Sequence, residues 1–143
     1  MPLSPEAKAF NQSVIDDHRA NEGVQTKGPL AGARLLVLTT TGAKTGEKRT
    51  KPLGHIMDGD AYIIVGSNSG QEAHPAWLTN IQKDPHVTVE VGTETFEAIA
   101  EITEGAERRR LFDAVIAAIP PFGEYEKTVK TREIPIVRLT RVK

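Results

Sequence analysis

The 143-residue sequence predicts an α+β fold, a small barrel of about six mainly antiparallel strands with helices at its openings or flanks. Three observations predict it. Val87, Val89 and Val91 alternate with Thr88 and Glu90, and Phe96, Ala98, Ala100 and Ile102 alternate back, which is the period of half-buried strands. Asp58-Gly59-Asp60 and Gly92-Thr93-Glu94 are hairpin turn signals. Helical stripes appear only before, between and after the strand runs. The length suits one domain over residues 1–143, with residues 1–32 as an N-terminal helix and linker.

The elements follow in order. Ser4 and Pro5 fit an N-cap and a first helical position, and Ala7, Phe10, Val14 and Ile15 give a helical stripe that ends near Asn21-Glu22-Gly23. The Gly/Pro-rich segment from Val24 to Gly32 reads as a connection. Leu35–Thr40, Thr50–Met57 and Ala61–Ser67 read as three strands. After a polar loop, Pro75 starts a short helix through Trp77, Leu78 and Ile81. The two alternating strands come next. Thr103 is placed to cap a third helix, striped by Leu111, Phe112, Val115, Ile116 and Ile119 and ended by Pro120-Pro121. Ile134–Thr140 is the last strand.

Composition excludes several classes. A net charge of -1 gives no global basic field for nucleic acid. Without cysteine there is no disulfide, iron–sulfur or thiolate-zinc site. No apolar run approaches the ~18 residues of a membrane span. Met1-Pro2-Leu3-Ser4 lacks the basic start and apolar core of a signal peptide, so the expectation is a cytoplasmic protein. His18, His55, His74 and His86 show no metal-ligand spacing.

The most informative stretch is Thr39 to Lys51. An apolar strand runs into a turn bracketed by Gly42 and Gly46, and Lys44, Lys48, Arg49 and Lys51 crowd one short segment. Such a turn suits an acidic, phosphorylated ligand. It is not a nucleotide P-loop, because only three residues separate the glycines and Glu47 follows Gly46. The competing reading is an exposed hairpin with solvated lysines. Ser67 and Ser69 follow a strand with no identifiable paired base, so loop hydrogen bonding is their plain role. Trp77, the only tryptophan, reads as core, as a stacking surface for a planar ligand, or as both. Arg108-Arg109-Arg110 reads as a solvated helix face, and Tyr62 as a strand residue packing outward.

These residues resemble a known family. Thr39–Gly46, Arg49 with Pro52-Leu53, Asp58-Gly59-Asp60, Ser67–Gly70, His74-Pro75-Ala76-Trp77 with Asn80, Asp84-Pro85 and Ile134-Pro135-Ile136-Val137 occur in this order over about Leu35 to Val137. The chain is similar to the deazaflavin-dependent nitroreductase family of actinobacteria, in the flavin/deazaflavin oxidoreductase superfamily. The resemblance implies a split β-barrel of the FMN-binding type, binding of coenzyme F420, and hydride transfer from the reduced cofactor to a small electron-poor acceptor. By matching position it implies that Lys44, Thr45, Arg49, Thr50, Lys51, Pro52 and Leu53 hold the phosphate and oligoglutamate tail, with Ala43 at a further cofactor-binding position. Gly66, Ser67 and Asn68 would approach the ring system, and Ala76, Trp77 and Asn80 would complete the pocket. Phe122 and Tyr125 would face the substrate, with Tyr125 and Ser67 as the candidate catalytic residues. Many relatives carry Arg or Lys where Ala43 stands, and members active on bulky nitro compounds are tyrosine-rich around Ile119–Tyr125. Here Tyr125 remains, beside Phe122.

The expected acceptor is a quinone, an activated alkene or a nitro compound, protonated afterwards by Tyr125 or by solvent. Two alternatives stay open: an enzyme using FMN in the same barrel, and a non-catalytic deazaflavin carrier. No nucleic-acid partner and no integral membrane segment are expected, and a homodimer is compatible with a barrel this small.

Overall fold

A computed structural model describes residues 5–26, 31–32, 35–67, 74–130 and 132–142. The elements are α1 (Pro5–Ala20), β1 (Leu36–Thr41), β2 (Lys48–Leu53), β3 (Ile56–Asp58), β4 (Ala61–Val65), α2 (Ala76–Lys83), β5 (His86–Val91), β6 (Glu94–Ile102), α3 (Gly105–Ala118), α4 (Pro121–Thr128) and β7 (Ile136–Arg141). The strands form one seven-stranded sheet in the order β2-β1-β5-β6-β7-β4-β3, antiparallel at every pairing.

The two edge strands, β2 and β3, are consecutive in sequence and joined by Gly54-His55 alone. Laid flat, seven strands at the usual spacing would put the edges about 29 Å apart. Three residue steps from Leu53 to Ile56 reach at most about 11 Å. The sheet therefore curls until its edges face each other across a seam, which makes it a split barrel. The stretch Thr50–Met57 is thus two strands rather than the one expected, and seven strands stand where about six were anticipated. The seam breaks the ladder over two residues only, Gly54 and His55, so local pattern does not show it. Pro52 is tolerated because β2 pairs on one side only.

Alternation sorts the sheet's side chains into two cores. Leu36, Leu38, Ile64, Val89, Ala98 and Leu139 pack inside the barrel with Trp77, Leu78 and Ile81 of α2. Ile63, Val65 and Ile136 point to the other face, against Leu111, Phe112 and Val115 of α3. Tyr62 packs on the inner core between the rings of His55 and Phe96, so it does not face outward. At the β3–β4 hairpin, Gly59 takes φ +60, a backbone suited to the first position of a two-residue turn.

Four further expectations are corrected. Thr103 does not cap α3, whose N-cap is Glu104. Instead the Thr103 hydroxyl donates to the Ile136 carbonyl at 2.7 Å and ties β6 to β7. Pro120-Pro121 ends α3 but also starts α4, because Pro121 occupies the first helical turn, where a missing N–H costs nothing. Of the three α3 arginines, Arg109 and Arg110 are exposed, as a solvated face requires, whereas Arg108 is largely buried. Arg108 donates to the Ile134 carbonyl, Arg109 pairs with Asp113 and Glu126, and Arg110 bridges Asp58 and Glu107. Phe10 is exposed, while Val14 and Ile15 are the buried members of the α1 stripe. Ser4 and residues 27–30 of the Gly/Pro-rich connection lie outside the described residues. Among the described residues, no helix is long and apolar enough to cross a membrane.

Helix α1 docks through Arg19, whose guanidinium makes a two-pronged pair with Glu90 of β5. His18, in the same last turn, is only 2% exposed, and neither of its ring nitrogens meets a partner among the described residues. Burial lowers its pKa, Glu90 raises it and Arg19 lowers it further. His55, in the seam, is lowered by burial and then by His18. A depressed folded pKa means the unfolded chain binds more protons. The stabilising contribution is full above the ordinary histidine value near 6.5 and lost as pH falls through the lower folded value. Urea midpoints measured from pH 7.5 to 5.0 should therefore fall with pH, and the His18→Gln/His55→Gln protein should show a flatter profile. Parallel profiles would remove this pair from the pH dependence.

Candidate functional site

Two clusters flank α2. The first is the turn between β1 and β2. Its backbone closes on itself, with the Gly42 N–H donating to the Glu47 carbonyl at 2.7 Å and the Gly46 N–H to the Gly42 carbonyl at 2.9 Å. The buried Asn80 of α2 then locks it. Its Oδ1 accepts from the Ala43 N–H at 3.0 Å, and its Nδ2 donates to the Thr40 hydroxyl at 3.0 Å. Lys83, one turn further along α2, donates to the Ala43 carbonyl at 2.7 Å. The Thr45 hydroxyl accepts from the Glu47 N–H. Ala43, Thr45 and Asn80 thus spend these groups on shaping the turn.

The cations decorate this frame. Lys44, Lys48 and Arg49 are exposed, as the solvated-hairpin reading expected. Lys48 donates to the Thr41 hydroxyl, and Arg49 meets Glu47 at 3.2 Å with both side chains mostly in water, a pair of little energetic weight. Lys51 differs. It stands opposite Leu38, and directly paired residues share a face, so its stem lies on the barrel's inner side. It is half-buried, and burial lowers its pKa. Among the described residues no carboxylate pairs with it. A desolvated ammonium without a counter-charge fits an anionic ligand, and Thr50, Pro52 and Leu53 continue the same strand toward the seam.

The second cluster lies where β4 ends. The Gly66 N–H donates to the Pro135 carbonyl at 2.8 Å, and a Cβ on Gly66 would stand 3.0 Å from the Pro135 ring, so only glycine fits without a shift. Ser67 follows. It lines a hollow of about 270 Å³ with Ile119, Pro121, Phe122 and Tyr125. The Phe122 and Tyr125 rings meet edge to face at 5.9 Å. The substrate-facing pair expected from sequence and Ser67 therefore do meet around one hollow. Ala76 is exposed on the first turn of α2, whereas Trp77 is buried among the inner core residues. Asn68 lies outside the described residues.

Three contributors escaped the sequence reading. Helix α4 carries Phe122 and Tyr125 on a regular element, not on a loop. Lys83 reaches back to the turn across forty positions of sequence. Arg132 bonds the carbonyls of both Gly66 and Ser67. Of these, only the proline at the start of α4 left a local signal. Among the described residues no group of three metal-ligating side chains exists.

The family model of the F420H(2)-dependent quinone reductases matches residues 11–141. An F420H(2)-dependent quinone reductase of Mycobacterium tuberculosis is 36% identical over 108 residues, covering 74% of this chain and 72% of that protein. The solved structure of an F420-H2 dependent reductase, FDR-A, superposes with a TM-score of 0.68 at 34% identity, over 73% of this chain and 92% of that one. A domain-swapped dimer superposes with a TM-score of 0.71 at 29% identity, over 95% of this chain and 99% of that one.

Asn80→Ala should cost on the order of 1–3 kcal/mol, because it strands the part-buried Ala43 N–H and the buried Thr40 hydroxyl. Trp77→Ala should cost more, about 3–5 kcal/mol. Urea unfolding measures both. A loss near zero for Asn80→Ala would show that the turn holds its shape without α2.

Proposed function

Because the chain belongs to the F420H(2)-dependent quinone reductase family, we propose that its two clusters are the two ends of one coenzyme F420 site. The protein is an F420-dependent oxidoreductase. When bound, the reduced cofactor supplies the hydride. Lys44, Thr45 and the strand from Arg49 to Leu53 hold the phosphate and acidic tail. The single observation that carries this is Lys51, a half-buried cation with which no carboxylate pairs among the described residues. The turn cations and Lys51 together exceed what the one phosphate of FMN needs, which favours the deazaflavin. The whole chain acts as one cofactor-binding domain.

Gly66 and Ser67 approach the ring, Ala76 borders it, and Trp77 and Asn80 support the pocket from behind. The acceptor is a quinone lying flat in the hollow against Ile119, Phe122 and Tyr125. That wall orients the acceptor and keeps water off the transfer path. Tyr125 brings a hydroxyl to it and is placed to deliver the proton after transfer, with Ser67 orienting the reacting partners. The likeness to a domain-swapped dimer supports a homodimer, and the cytoplasm is the proposed compartment.

Three measurements test the reading. In fluorescence titrations the protein should bind F420 more tightly than FMN; equal or tighter binding of FMN sinks the tail assignment. Lys51→Met should weaken F420 binding about tenfold or more and lower its salt dependence. Lys44→Ala and Arg49→Ala should act in the same direction by less, since both side chains are solvated. With a quinone acceptor at saturating reduced F420, Phe122→Ala should raise KM and Tyr125→Phe should chiefly lower kcat. Unchanged kinetics in both would place the chemistry elsewhere, and rapid turnover of bulky nitroimidazoles would overturn the flat-acceptor reading.

A further inference from the structure

We infer that Arg132 is a positioning residue, a guanidinium staple that holds together the two backbone segments flanking the ring end of the cofactor site. The inference rests on the F420 reading above and deepens it. Arg132 stands just before β7, outside the substrate hollow. One of its terminal nitrogens donates to the Gly66 carbonyl at 2.9 Å and the other to the Ser67 carbonyl at 2.9 Å. The first also lies 3.1 Å from Nδ1 of His74, two residues before α2. A single planar fork therefore grips the end of β4 and the approach to α2 at once.

The chemistry makes this grip directional. A guanidinium only donates, so Nδ1 of His74 must accept, and the imidazole is neutral with its proton on Nε2. Burial and the adjacent Arg132 both lower the His74 pKa, which agrees with that form. Its side chain also borders an open hollow of about 350 Å³ shared with Arg108, Phe112 and Glu126.

The consequence is mechanical. Gly66 is already pinned to Pro135, so β7 and its approach hold the β4 end from two sides. Through His74 the same arginine fixes the angle at which α2 starts. Helix α2 rises about 12 Å over its length, and its far end carries Asn80 and Lys83, which shape the basic turn. Arg132 thereby sets the ring end relative to the tail end without touching the acidic tail. Lysine, with one compact ammonium in place of a planar fork, serves fewer of these acceptors.

The test compares Arg132→Lys and Arg132→Met with the parent, using F420 binding as a function of salt, iodide quenching of the sole tryptophan, Trp77, in the ligand-free protein, and steady-state kinetics. Arg132→Met should weaken F420 binding about tenfold while leaving the salt slope at the parent's value, which Lys51→Met does not. It should also raise iodide access to Trp77 and lower kcat more than it raises the acceptor's KM. Arg132→Lys should recover part of each effect and stands in if the methionine variant does not fold. Parental affinity and parental quenching in either folded variant overturn the staple. A reduced salt slope in Arg132→Met also overturns it, since the arginine would then contact the anion itself. A parent that fails to bind F420 defeats the functional reading instead, and the ligand-free quenching then judges the staple alone.

Discussion

Closure of the sheet is the constraint on which the rest of the molecule depends. Its two edges are neighbours in sequence, and the Gly54-His55 link is far too short to cross an open seven-stranded sheet. Curling the sheet separates an inner core around Trp77 from an outer one around Phe112. It also brings β2, which carries the cations, to one lip of the seam. The β3 edge is only three residues long, and β2 is blunted by Pro52 and by its charges, so the open seam does not offer a long apolar template for pairing.

Helix α2 turns that closed sheet into a site. It fills the barrel with Trp77, Leu78 and Ile81 and uses its remaining side chains at the two ends. Asn80 satisfies a backbone N–H and a hydroxyl in a buried setting, where leaving them open would be costly. The basic turn is consequently ordered before any ligand arrives, so less ordering is left for the binding step. The approach to the same helix, at His74, meets Arg132, which also bonds the end of β4. Core packing and ligand geometry thus run through one rigid element.

Charge is distributed unevenly for a chain of net charge -1. Arg19, Arg109, Arg110, Arg138 and Arg141 all find carboxylates. At the turn, Lys44 and Lys51 have none within reach among the described residues, and Arg49 has only a solvated one. The surplus of positive charge therefore collects where the anionic end of the cofactor is proposed to lie. Elsewhere the arginines serve architecture, as Arg110 does in tying α3 to β3 through Asp58.

By itself the sequence determined the α+β class, the paired alternating strands, the hairpins at Gly59 and Gly92, the short helix after Pro75 and the cationic turn, because each is a local pattern of period, turn residue or charge. It also carried enough ordered motifs to identify the family. Only the tertiary structure decided that Thr50–Met57 crosses a seam, since strand pairing is a long-range choice that an extended backbone does not record. The same holds for Tyr62, turned inward by its place in a curled sheet, and for the arginines of α3, whose partners come from β3, α4 and the approach to β7 as well as from α3 itself. Lys83 and Arg132 were illegible for the same reason. Each acts on backbone carbonyls tens of residues away, and a carbonyl leaves no mark on a sequence.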